Sequence, residues 1–68
     1  MNAQTAEIVA NMPVLFEIIH RHKIWTITKD FAFFGDFTQE KFAIDAVEAA
    51  VAAIGAAGGT AQIVSKVA

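Results

Sequence analysis

The chain has 68 residues, 56% hydrophobic and 18% charged, with a formal net charge of −2 and no cysteine. So short a chain has no material for a second core, so residues 1–68 are expected to form one domain without a disulfide, zinc-thiolate or iron–sulfur framework. The slight negative charge removes the electrostatic case for nucleic acid, and a small domain this rich in apolar side chains is expected to place some of them at an interface.

Residues 5–20, TAEIVANMPVLFEIIH, place Ile8, Met12, Leu15, Phe16 and Ile19 at helical spacing. Thr5 is a candidate N-cap, Glu7 suits the first turn, and His20, Arg21, His22 and Lys23 sit where cations favour a helix C-terminus. Pro13 removes a backbone hydrogen bond, so the helix is expected to kink there or to restart with Asn11 as its cap. Val14 and Ile18 widen its apolar surface beyond one stripe, which predicts burial on more than one side. With no basic region ahead of them and Glu7, Asn11 and Glu17 among them, the opening residues predict no secretory signal, and the expected residence is cytoplasmic. No window reaches the roughly 18 apolar residues of a membrane span.

Ile24-Trp25-Thr26-Ile27-Thr28 is dense in β-branched and aromatic residues and predicts a strand. Phe31–Phe34 is the candidate return strand, with Lys29-Asp30 near the turn, although Ile24, Ile27, Phe31 and Phe34 also fit a helical period. Gly35-Asp36 is expected to end whichever element this is. A long alanine-rich helix follows from about Gln39 to Ala56, capped by Thr38, or by Asp36 with Gln39 in a capping box, and closed by Gly58-Gly59. At about 100° per residue, Ile44, Val47, Val51 and Ile54 form a bulky stripe, and Ala46, Ala50, Ala53 and Ala57 form a smooth one. Two such faces predict either one shared core or one face for the protomer and the other for a neighbour. The tail, Thr60–Ala68, reads as a short strand, with a short terminal helix as the alternative.

Glu17-Ile-Ile-His20 has the Glu-x-x-His spacing that sets two metal ligands on adjacent helical turns, and a symmetric dimer would add Glu40 or Glu48. The wheel turns Glu17 away from the apolar stripe, so a surface glutamate beside a helix-terminal histidine is the expected reading. His20 and His22 share a face only if the chain is extended, and they are read as solvent-facing. Ser65 is the only serine and lies in no nucleophile elbow, Gly55, Gly58 and Gly59 lack phosphate-loop spacing, and Asp45 and Glu48 share an exposed strip. No catalytic residue, metal ligand or cofactor is therefore expected. The aromatic residues Trp25, Phe31, Phe33, Phe34, Phe37 and Phe42 are read chiefly as core, with Trp25 the one that reaches an interface.

The expected architecture is a small α+β domain in the order helix, one or two strands, long helix, short C-terminal strand; an all-helical hairpin is the alternative. The expected function is that of a non-enzymatic structural or assembly protein, of a size and composition that suit a virus or mobile element. Its partner is expected to be itself, a homo-oligomer joined through Ala46, Ala50, Ala53, Ala57, Trp25, Val14 and Ile18. The alternative is a small inhibitor or regulator that docks an aromatic face onto one larger enzyme or transcription factor.

Overall fold

The structure, a computed structural model, describes residues 12–67. They run β1 (Val14–Arg21), β2 (Ile24–Lys29), β3 (Ala32–Phe37), α1 (Glu40–Ala56) and β4 (Ala61–Val67). One four-stranded mixed sheet has the order β3-β2-β1-β4, a three-strand antiparallel meander with β4 added parallel to β1. The helix carries the chain from one edge of the sheet to the other, giving a small compact α+β domain and excluding the all-helical alternative for these residues.

β1 overturns the helix expected over 5–20 wherever that expectation falls on described residues; residues 5–11 lie outside them. Val14, Phe16 and Ile18 alternate with Leu15 and Ile19, so both faces of the strand are apolar and the period of two is hidden. The β-branched Val14, Ile18 and Ile19 favour extended backbone, and Pro13 interrupts the helical alternative. Pairing decides the contest, because β1 is bonded to β2 on one side and β4 on the other.

Each hairpin closes through two residues at positive φ: His22 at 53° and Lys23 at 65°, then Asp30 at 50° and Phe31 at 70°. Positive φ at both central positions matches the turn twist to that of the strands. The expected strand pair is present, with its turn at Asp30-Phe31 rather than Lys29-Asp30. The expectation that Gly35-Asp36 ends this element is overturned, since β3 runs on to Phe37. Ile27 pairs with Gly35 and Thr28 with Phe33, leaving Phe34 as the extra residue of a bulge. Gly35 belongs beside it because a Cβ there would lie 3.3 Å from the Phe37 ring.

α1 begins one residue after the expected start, with Gln39 at the N-cap and no side-chain cap bond. Neither proposed cap is used; the Asp36 carboxylate instead accepts a 2.7 Å hydrogen bond from the Thr26 hydroxyl across the β2–β3 pair. The C-terminus matches expectation in detail. Gly59 N–H donates to the Ile54 carbonyl at 2.8 Å, Gly58 N–H to Gly55 at 3.0 Å, and Gly58 has φ 89°, a Schellman motif.

Strand register places Val14, Phe16 and Ile18 of β1 beside Ile27 and Trp25 of β2 on the sheet face that α1 covers. Phe16, Ile18, Ile27, Ala43 and Val47 form the buried core, with Val14, Trp25, Phe37, Ala46, Ala50, Val51, Ile54 and Ala61 packed around it. Leu15, Glu17, Ile19, Ile24, Thr26, Thr28, Val64 and Lys66 fall on the opposite face.

Candidate interaction surface

The aromatic residues do not collect in the core as composition suggested. Phe16 is the aromatic side chain in the core, meeting Phe34 edge to face at 5.6 Å between ring centroids. Trp25 and Phe37 are half-buried against the core, while Phe31, Phe33, Phe34 and Phe42 are exposed. Two physical causes operate. β3 is an edge strand, so Phe33 opposite Thr28 on the open face and Phe34 at the bulge, whose ring meets Phe16 on one side, are left partly uncovered, and Phe31 occupies a hairpin tip. At 76% exposed and φ 70°, Phe31 is a bulky residue displayed where glycine is sterically easier.

The residues expected at an interface are divided by the fold. Ile18 lies in the core at 6% exposure and Val14 packs against it, so α1 of the same chain covers them. The helix seats on the boundary between its two stripes: Ala46 and Ala50 pack with Val47, Val51 and Ile54, whereas Ala53 and Ala57 are exposed. Substituting Ala50 by glutamate therefore tests the protomer core, and Ala53 and Ala57 are the stripe residues that face solvent. Trp25 stacks on His20 with centroids 3.8 Å apart and planes 1° apart, fixed by their direct pairing across the β1–β2 ladder. His20 is thus half-buried rather than solvent-facing, and His22 is exposed in the turn.

The strand also separates the Glu-x-x-His pair, because residues three apart in a strand point to opposite faces. Among the described residues no group of three or more His, Cys, Asp or Glu side chains is placed to hold a metal.

On the open face Glu17 is 7% exposed and receives the Lys66 ammonium at 2.6 Å and the Thr28 hydroxyl at 3.3 Å. The hydrogen bond from Lys66 holds its carboxyl below the ordinary carboxylate value, against the raising effect of burial, and the lysine's charge and Thr28 add to the lowering. The cluster ties the central strand β1 to β2 and β4. Asp30 ties the other hairpin end to β1: its N–H donates to the Leu15 carbonyl at 2.7 Å and its carboxylate accepts the Leu15 N–H at 2.9 Å.

Sequence reasoning missed the exposed tip at Phe31 and the edge formed by β4. The first had a local signal, Asp30-Phe31 between two β-rich runs. The second arises only from the parallel pairing of two segments far apart in the chain. No helix among the described residues is long and apolar enough to cross a membrane. Comparison with protein families, with curated proteins and with solved structures finds no match to this chain.

Proposed function

We infer that the chain is a small structural or assembly protein that acts by self-association through apolar surface it leaves uncovered, and not by catalysis. The observation that carries this reading is the imbalance of the fold. The core comprises Phe16, Ile18, Ile27, Ala43 and Val47, yet Phe31, Phe33, Phe34, Phe42, Ile44, Ile63 and Val64 are exposed on the same small domain. Large exposed hydrophobes at this density mark contact surfaces in soluble domains. Light scattering from the untagged protein over a wide dilution series tests it. The expected mass exceeds the single-chain 7.3 kDa at high concentration and falls towards it on dilution. A single-chain mass at every concentration overturns self-association.

A second reading has its own support in Phe31. A strained, exposed aromatic at a hairpin tip is the geometry of an anchor inserted into another protein's pocket. In that reading the chain is an inhibitor or regulator of a larger protein, and Phe31 replaces the half-buried Trp25 as its anchor. It predicts a monomer in solution, the outcome opposite to that of self-association.

A further inference from the structure

Resting on the reading of self-association, we propose that the joint is the edge of β4 turned away from β1, paired antiparallel with β4 of a second copy about a twofold axis. Val14 N–H donates to the Thr60 carbonyl at 2.9 Å, so the peptide groups of Thr60 face β1. N–H and C=O of one strand residue point to the same side and alternate along the strand, so Gln62, Val64 and Lys66 also face β1. Ala61, Ile63 and Ser65 therefore direct their N–H and C=O groups away from the sheet, at an edge that no described strand occupies. Water can meet such groups one by one, whereas a second strand pairs the whole row in register.

The two edges of the sheet differ. β3 carries the bulge at Phe34 and the carboxylate of Asp36, both devices that discourage strand addition. β4, AQIVSKV, has no proline, no bulge and one charged residue, Lys66, whose ammonium is held by Glu17. It is an electrically neutral, β-prone edge with Ile63 and Val64 exposed at 48% and 40%.

A second copy fits this edge in a defined register. Centring the axis on Val64 uses the whole strand and brings outward-facing residues opposite one another, Ile63 against the partner's Ser65. Val64 meets the partner's Val64 on the open face, and Lys66 lies opposite the partner's Gln62, so no like charges are set directly across the joint. The result is a continuous eight-stranded sheet, twice the four strands of one chain, with both helices on one side and both bulged β3 edges outermost. That contact is isologous and closes at two copies. An edge contact is smaller than a standard interface, so the dimer exchanges with monomer on dilution.

The test joins amide hydrogen exchange of the unmodified protein at high and low concentration with the mass of the Ser65→Pro variant. Proline at position 65 removes an outward donor and leaves the bonds to β1 in place, as edge strands tolerate. The expected result is that the Ala61, Ile63 and Ser65 amides exchange more than roughly tenfold slower in the concentrated protein. The Gln62, Val64 and Lys66 amides are slow at both concentrations, and Ser65→Pro is a folded monomer. If the unmodified protein is dimeric but those three amides show no concentration dependence, the β4 joint is overturned while self-association stands. A dimeric, folded Ser65→Pro overturns it equally. If the unmodified protein is monomeric throughout, self-association fails and the joint with it, and polymers larger than a dimer overturn the closed twofold arrangement. Should Ser65→Pro not fold, the exchange pattern of the unmodified protein decides.

Discussion

A phenylalanine at φ 70° carries the steric penalty of the left-handed region, about 1–2 kcal/mol for an L-residue, which glycine escapes. Asp30 beside it, at φ 50°, recovers part of the same penalty through its two hydrogen bonds with the Leu15 backbone. Phe31 has no comparable return, since most of its ring is exposed. Phe31→Gly therefore removes the penalty and adds back glycine's greater unfolded-state entropy, about 0.5–1 kcal/mol. The expected net effect is a gain of about 0.5–1 kcal/mol, seen as a higher urea midpoint with unchanged slope. An unchanged or lower midpoint shows that the ring contributes to the fold. A higher midpoint with the oligomeric mass unaltered shows that the ring serves neither the fold nor self-association.

At the scale of elements, the C-terminus of α1 is specified by both of its glycines. Gly58 needs its positive φ, and Gly59 needs its missing Cβ, which would stand 2.9 Å from the Ile54 methyl Cγ2. Gly58→Ala is expected to cost about 1 kcal/mol through backbone strain. Gly59→Ala costs by a different route, displacing Ile54 from its place against the core. The two separate in thermal melts: Gly58→Asn recovers part of the loss at 58, since asparagine tolerates left-handed backbone, and Gly59→Asn does not recover that at 59. This junction and α1 were legible in the sequence because both signals are local, a 3.6-residue period and paired glycines. β2 and β3 were legible only in part, because β-branched and aromatic density pointed to strands while Ile24, Ile27, Phe31 and Phe34 fitted a helical period as well. β1 was not, because Val14, Leu15, Phe16, Ile18 and Ile19 satisfy a helical and a strand period together, and the choice belongs to β2 and β4 on either side of it. The interface residues shared that fate: with β1 misread as a helix, Val14 and Ile18 looked available, whereas as alternate residues of a central strand they lie under α1.

Among the described residues β4 is held to the sheet along one side, by its ladder to β1, and the Glu17–Lys66 pair is a side-chain bond that reinforces it. The sign of its pH dependence follows from the lowered Glu17 value. A carboxyl whose folded-state pKa lies below its unfolded one contributes stability in full above the ordinary value of 4.5, and loses it as pH falls below that, through the lowered folded-state value. Lys66 from β4 is the charged group facing it and Thr28 from β2 the neutral one. Urea midpoints measured from neutrality down through this range are expected to fall for the unmodified protein. Glu17→Gln is expected to start lower and fall less, because it has no proton to take up at that position. Parallel curves for the two proteins mean that the acid transition belongs to other carboxylates. The same titration bears on assembly, because protonating Glu17 frees the Lys66 ammonium at the β4 edge and places a charge on each side of the proposed joint. Loss of the dimer at a pH where the far-ultraviolet spectrum is still native is therefore expected for the unmodified protein. A dimer that persists until the fold itself is lost removes Lys66 from the joint.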